Sequence, residues 1–176
     1  QAYIRNFPRG TYAQEARYKV AYCYYLDSPD ARLDQTETYE AINALSEFIS
    51  LYPESDRVAD CRKYLFEMED KLAYKELLSS KLYYNLGLYG GNNYRACVTT
   101  AENALKDFPE SQYRDDLVFV ILKAKSKEAS LSVEEKKRER YSEVIDEYYR
   151  YANAFPDGKH IKEANRILRE AKNIVK

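Results

Sequence analysis

Apolar side chains follow four similar short motifs at the spacing of an α-helix. Each motif is an aromatic residue, a proline, a variable residue and then Ser or Gly, and the four copies occupy residues 7–10, 52–55, 108–111 and 155–158. Because proline lacks a backbone N–H and fixes φ, it ends the helix before it. Ser and Gly are favoured N-cap residues for the helix that follows. We call this unit the stop–start motif and expect a helix on each side of it.

The residues after each motif form an apolar column. Counted from the proline, the eighth, twelfth and fifteenth residues are apolar in every copy, which places them on one helical face. We expect these columns to form the core. Their members are Ala16, Val20 and Cys23; Cys61, Leu65 and Met68; Leu117, Ile121 and Ala124; and Ala164, Leu168 and Ala171.

The spacing of the motifs indicates the fold class. Their prolines are separated by 45, 56 and 47 residues, which is typical of stacked helical pairs although longer than the bare tetratricopeptide unit. The sequence therefore predicts an all-α protein in which antiparallel helix pairs stack as a tetratricopeptide-like superhelix. Such folds expose binding surfaces more often than catalytic pockets.

Seven or eight helices are expected. Residues 56–86 contain no Gly or Pro and predict one long central helix, or two nearly coaxial ones, before a glycine-bearing turn at 87–93. Asp34 with Glu37, and Ser132 with Glu135, fit capping boxes. The remaining helices are expected at residues 11–26, 34–52, 112–129, 133–154 and 159–175, with one more between the turn and Phe108.

The domain organisation is expected to be simple. We predict one tetratricopeptide-like domain over residues 1–176. Residues 1–6 read like the last turns of a helix, so we expect this domain to be the carboxy-terminal portion of a longer chain. Any targeting segment would then lie upstream.

Charge and hydropathy argue against a nucleic-acid-binding surface and against a membrane-spanning helix. The net charge is −1, so no overall basic field favours nucleic acid. The Lys and Arg residues of the segment 136–140 are interleaved with Glu and read as a solvated helix face. No run approaches the roughly 20 apolar residues of a membrane-spanning helix.

Little in the sequence points to catalysis. His160 is the single histidine, and an imidazole at a helix start is expected to face solvent. No nucleotide-binding, zinc-protease or nucleophile-elbow motif is present. We therefore expect no enzyme, no catalytic residues, no metal and no cofactor; the remaining enzymatic alternative is a site of unusual design. The cysteines Cys23, Cys61 and Cys97 lack metal-ligand spacing and are expected to be buried free thiols.

Nineteen tyrosines make the aromatic content unusual. Tyr18, Tyr22 and Tyr25 recur at i, i+4 and i+7 on a stripe beside the first apolar column. One interpretation is packing between helices with the hydroxyls reaching water, which we favour. The other is a surface that binds a peptide partner.

Several passages carry a resemblance to a known family. They are Phe7-Pro8 with Tyr12-Ala13 and Ala16; Ser28-Pro29 with residues 33–36 and Ala41-Ile42; residues 48–55; and Leu72-Ala73, Glu76, Tyr83-Tyr84, Gly87, Tyr94, Ala96 and Leu105 with 107–109. In this order they resemble the BamD family, the periplasmic tetratricopeptide-repeat lipoproteins of the outer-membrane β-barrel assembly machine, in a Bacteroidetes-like version. The similarity is strongest over about residues 1–125.

The resemblance implies a function and a location. It implies a non-catalytic scaffold that binds the POTRA-bearing barrel subunit and other proteins of the complex and assists insertion of unfolded outer-membrane proteins. The place would be the periplasmic face of the outer membrane, with a lipid anchor upstream in the inner leaflet. Arg114-Asp115-x-Leu117 matches the family's Arg-Asp-x-Leu helix opening, so the resemblance implies a partner-facing ion pair at Arg114, beside Asp115. The alternative is a tetratricopeptide-repeat adaptor for other envelope complexes.

Overall fold

The computed structural model describes residues 1–176, which form eight α-helices and no strand. This confirms the all-α prediction and is compatible with a tetratricopeptide-like helical repeat. None of the helices combines the length and apolar character that crossing a membrane requires. The helices are α1 (Ala2–Asn6), α2 (Ala13–Asp27), α3 (Thr36–Leu51), α4 (Val58–Leu86), α5 (Asn93–Asp107), α6 (Arg114–Ser130), α7 (Glu134–Ala154) and α8 (Ile161–Val175).

The long central helix is a single element. α4 contains 29 residues and is therefore about 44 Å long. Its first half belongs to one compact unit, Gln1–Leu72, and its second half to another, Ala73–Lys176. We call them unit 1 and unit 2. The expectation of one domain over the whole chain stays a prediction.

All four stop–start motifs use the same backbone hydrogen bonds. The aromatic N–H donates to the carbonyl four residues earlier at 2.8–3.0 Å, and the Ser or Gly N–H donates to the aromatic carbonyl at 3.0–3.2 Å. The Ser or Gly carbonyl then accepts from the residue three positions later at 2.8–3.3 Å. Each motif thus pairs the carbonyls of its aromatic residue and of its Ser or Gly with main-chain N–H groups of the same turn.

The motif residue that was expected to be the N-cap does not hold that position. Because the Ser or Gly carbonyl closes one more turn, the helix begins later, and the N-caps of α2, α6 and α8 are Tyr12, Tyr113 and His160. Both predicted capping boxes are also wrong. The Asp34 carboxylate instead accepts from the N–H of Thr36 at 2.9 Å, and the Ser132 hydroxyl donates to the Glu128 carbonyl at 2.7 Å.

Unit 1 is built on the antiparallel pair α2 and α3 with the first half of α4. Its core cluster is Ala21, Leu45, Phe48 and Cys61. A polar network fixes the α2–α3 connection: Lys71 Nζ donates to the Ser28 hydroxyl at 2.7 Å, and that hydroxyl lies 2.6 Å from Thr38 Oγ1. Gln35 Oε1 accepts from Thr38 at 2.8 Å, so the buried polar groups of this connection are paired.

Unit 2 contains the second half of α4 and helices α5 to α8. One core cluster joins Leu77 of α4 with the small residues of α5 and the inner face of α6, and a second joins α6 with α7 and α8. The small side chains of α5 are fully buried, namely Cys97, Ala101 and Ala104. Helix α6 contributes side chains to both clusters and so connects the two parts of the unit 2 core.

The predicted core columns are confirmed in part. Seven members are buried: Cys61, Met68, Leu117, Ile121, Ala124, Ala164 and Ala171. Leu65 and Leu168 are half-buried. The columns of the later copies therefore lie in or beside the core, as the periodicity predicts.

The first column differs and corrects two expectations. Ala16 and Val20 are only half-buried and Cys23 is exposed, so the prediction that all three thiols are buried is wrong for Cys23. The reason is that α2 packs on α3 through Ala21 and its tyrosines, which turns the first column away from the core. With Tyr24, the column lines a depression of about 450 Å³.

Candidate functional site

The tyrosine stripe of α2 packs against α3 and α4 within unit 1. The rings of Tyr18 and Tyr22 stack with their centroids 6.0 Å apart, and those of Tyr22 and Tyr25 stack at 5.9 Å. The ring of Tyr64 on α4 lies 5.5 Å from Tyr22 and 4.3 Å from Tyr25. All three stripe tyrosines are half-buried. The rings therefore pack between helices while part of each remains accessible, and their partner-binding role stays a prediction.

The two ends of the stripe are held by charged residues of α4 and the segment before it. The Tyr25 hydroxyl donates to Glu67 Oε2 at 2.6 Å. This hydrogen bond, with burial, raises the pKa of Tyr25 to about 12. At the other end, the guanidinium of Arg57 lies 5.1 Å from the centre of the Tyr18 ring, a cation–π distance. The pKa of Tyr18 is raised, chiefly by burial.

Arg114 is exposed at the first position of α6. Its backbone N–H donates to the Ser111 carbonyl at 3.3 Å, but its guanidinium has no carboxylate within ion-pair distance. A cation at a helix N-terminus opposes the helix dipole. The Arg114 side chain therefore contributes little to the stability of α6, and its predicted partner-binding role stays a prediction.

Asp115 has a different role from its neighbour. Its Oδ1 accepts from the buried Tyr151 hydroxyl at 2.7 Å, and its Oδ2 accepts from the Lys159 backbone N–H at 2.9 Å. Burial and the hydrogen bond to Asp115 raise the pKa of Tyr151. The structure thus uses the carboxylate of Asp115 to join α6 to the end of α7 and the start of α8. Its predicted partner-binding role stays a prediction.

His160 was expected to face solvent, and this is wrong. Its ring stacks on Phe119 with centroids 4.2 Å apart and an interplanar angle of 5°, and its Nε2 lies 2.9 Å from Asp116 Oδ1. Burial alone would raise the pKa of Asp116, but the hydrogen bonds from Lys159 and His160 outweigh it and hold that pKa below its usual value. The pairing escapes sequence inspection because it joins side chains 44 residues apart. The one available signal was that Asp116 and His160 both lie soon after a stop–start motif.

The side chains of Asp115, Asp116, Tyr151 and His160 form a polar cluster that joins α6 to the end of α7 and the start of α8. The hydrogen-bond partners of His160 are Asp116 and the Tyr151 hydroxyl, and no Ser, Thr or Cys side chain is among them. A nucleophile, a base and an orienting group would have to be within hydrogen-bond reach of one another. Nor does any group of three or more His, Cys, Asp or Glu side chains lie where it could hold a metal ion.

Comparisons with known proteins identify relatives of the chain. The family model described as "YfiO: Outer membrane lipoprotein" matches residues 1–91, just over half of the 176 residues. The outer membrane protein assembly factor BamD of Caulobacter vibrioides is 32% identical over 85 residues, or 48% of this chain. The match covers 28% of that relative's own length. The chain is BamD-like, and it belongs to the YfiO family of outer membrane lipoproteins.

Proposed function

We propose that the chain is a non-catalytic scaffold of the machinery that assembles β-barrel proteins in the outer membrane. In this proposal it lies at the periplasmic face of the membrane, binds a POTRA-bearing barrel subunit, and assists insertion of unfolded outer-membrane proteins. The family match and the printed name of the Caulobacter relative, an assembly factor, support this function. The two helical units, with side chains presented on exposed helix faces, are suited to binding other proteins.

The observation that carries the partner-binding proposal is the exposed guanidinium of Arg114, which has no carboxylate within ion-pair distance. A guanidinium presents five N–H donors in a planar fork that matches a carboxylate. Because Arg114 is exposed and has no internal acceptor, it needs no rearrangement of the fold to meet one. Asp115, fixed by Tyr151 and Lys159, holds the first turn of α6 in place beside it. We therefore propose that Arg114 pairs with a carboxylate of the POTRA-bearing subunit.

The experiment is affinity co-purification of the full-length protein with its POTRA-bearing subunit, followed by a binding titration. We expect Arg114→Glu to weaken binding by about fivefold or more, because it replaces attraction by repulsion at a contact of roughly 1 kcal/mol. The matched control is Arg138→Glu, which reverses an exposed charge on α7. Equal affinity of wild type and Arg114→Glu would dismiss the assignment of Arg114. Failure of any POTRA protein to co-purify under mild extraction would instead favour an adaptor for other envelope complexes.

A further inference from the structure

Unit 2 contains an open groove between the second half of α4, α6 and α8. One section has a volume of about 290 Å³ and is lined by Lys81 and Tyr84 of α4, Phe119 of α6 and His160 at the N-cap of α8, among others. A second section of about 250 Å³ continues past Lys123 and Glu163, which line both. Lys127 lines the second section only. We call the two sections together the unit 2 groove.

The middle of the unit 2 groove is aromatic. The ammonium of Lys123 lies 5.2 Å from the centre of the Tyr84 ring and 5.6 Å from that of Phe119. The ring of His160, the N-cap of α8, stacks on the Phe119 ring. The Tyr84 ring is half-buried and the Phe119 ring is buried, so Tyr84 and the Lys123 ammonium beside it offer apolar area and cation–π contact to an aromatic side chain.

Each section of the groove contains one lysine that has no carboxylate partner. Within it, Glu163 pairs with Lys123 at 3.4 Å, and Asp116 is held by Lys159 and His160. Arg166 Nε lies 3.8 Å from Glu170 Oε1. Lys81 in the first section and Lys127 in the second have no carboxylate within ion-pair distance. These two ammonium groups favour an occupant with carboxylates at both ends.

A comparison of equivalent positions after the first and third stop–start motifs indicates why the groove face of α6 is open. Tyr18, Tyr22 and Tyr25 are the tenth, fourteenth and seventeenth residues after the proline of their motif, and the same positions after Pro109 are Phe119, Lys123 and Ser126. In unit 1 the tyrosines and Tyr64 fill this face with rings. In unit 2 the small Ser126 and the long Lys123 leave space there.

We propose that the unit 2 groove binds a short acidic segment of another protein, with an aromatic side chain between two carboxylates. From Val120, which lines the first section together with Lys81, to Lys127 in the second section, the axis of α6 advances about 10 Å, which three to four extended residues span. The aromatic side chain packs on the half-buried Tyr84 ring beside Lys123, and the carboxylates meet Lys81 and Lys127. This proposal goes beyond the proposed function and does not depend on it, because the groove and its charges belong to this chain alone.

The probe is the synthetic peptide acetyl-Glu-Ser-Phe-Ser-Glu-amide, titrated into the ¹⁵N-labelled protein and followed by NMR. We expect saturable shifts of backbone amides that concentrate on residues lining the unit 2 groove. The peptide with Gln in place of both Glu should bind at least about fivefold more weakly, and binding should weaken as salt is raised. Shifts scattered over the surface, or equal binding of the Glu and Gln peptides, would overturn the proposal.

Charge reversal at the protein supplies the second test. Lys81→Glu and Lys127→Glu should each weaken binding by about threefold or more, whereas Lys136→Glu, an equal charge change on an exposed residue of α7, should leave it unchanged. Lys81 and Lys127 are both exposed, so we expect all three variants to fold, which circular dichroism checks. The same loss in all three variants would mean that only overall charge matters, and no loss in the groove variants would mean that the peptide binds elsewhere. Either result would contradict the proposal.

Discussion

The Tyr151 hydroxyl lies 2.6 Å from the point that a Cβ atom would occupy at Gly158. The first stop–start motif repeats this arrangement, with the Tyr3 hydroxyl 2.5 Å from the corresponding point at Gly10. The two motifs with Ser have Phe48 and Ala104 in place of the tyrosine, so no hydroxyl competes for that space. The choice between Gly and Ser in the motif therefore matches the residue seven positions earlier.

This relationship predicts the effect of a methyl group at Gly158. Gly158→Ala should lower the free energy of unfolding by about 1–3 kcal/mol, because the new Cβ would overlap the hydroxyl of the fully buried Tyr151. Urea unfolding of the single variants and of the pair with Tyr151→Phe measures the coupling. In the Tyr151→Phe background the same substitution should cost less, although Phe155 also crowds the site. Additive costs would contradict the proposed steric link.

Asp115 and Arg114 should differ in their contribution to stability. Asp115→Ala removes the acceptor of the buried Tyr151 hydroxyl and should lower the free energy of unfolding by about 1–3 kcal/mol. Arg114→Ala removes an exposed side chain and should change it by no more than about 0.5 kcal/mol. Chemical denaturation of the two variants makes the comparison. Equal losses would show that Arg114 supports the fold after all.

The core column of α6 offers a direct test of burial. Leu117 is fully buried, and Leu117→Ala should cost about 2–5 kcal/mol through lost burial and the cavity left behind. The matched control is Leu131→Ala, whose side chain is 52% exposed and should change stability by about 0.5 kcal/mol or less. Thermal unfolding of both variants separates the two cases. Similar melting temperatures would mean that the column does not carry the packing.

The Tyr25–Glu67 hydrogen bond should contribute to the free energy of unfolding in a way that depends on pH in the alkaline range. Since the pKa of Tyr25 is raised to about 12 in the folded protein, the hydroxyl stays protonated there at pH values where the unfolded tyrosine ionises. Its stabilising contribution is therefore complete below about pH 10 and is lost as the pH rises towards 12. The stability difference between wild type and Tyr25→Phe, measured by urea unfolding, should shrink over that window. A constant difference from pH 9 to pH 12 would be evidence against the hydrogen bond.

The three thiols should react at different rates in the folded protein. Cys23 is exposed, whereas Cys61 and Cys97 are buried, and burial raises the pKa of Cys61 and brings that of Cys97 to about 12. A thiol that is both buried and protonated reacts slowly. Iodoacetamide at pH 8 should therefore modify Cys23 first, and mass spectrometry of the digest identifies the site. Equal modification of all three without denaturant would contradict the burial of the other two.

The sequence predicted those features that depend on neighbouring residues in the chain. The prolines end helices wherever they occur, and the uninterrupted segment 56–86 contains the single helix α4. The resemblance to the BamD family, carried by passages such as Ser28-Pro29 and Phe108-Pro109, agrees with the family match.

Features that depend on which helices become neighbours could not be predicted in the same way. Cys23 and Met68 are both the fifteenth residue after the proline of their motif, yet Cys23 is exposed and Met68 is buried. The burial of each side chain depends on which neighbouring helix covers it. His160 likewise meets Asp116 and Phe119 only after α6 and α8 come together. The charges of the unit 2 groove arise from three separate helices, so no local motif marks it.

The uniform backbone bonding of the four stop–start motifs has an evolutionary consequence. The main-chain hydrogen bonds of each corner join atoms of that corner alone, and contacts such as the one from the Lys159 N–H to Asp115 are added to them. A gene duplication or deletion that begins and ends at such corners would keep these local main-chain hydrogen bonds. Proteins built on this corner can thus change their number of helix pairs without redesigning the connections between them.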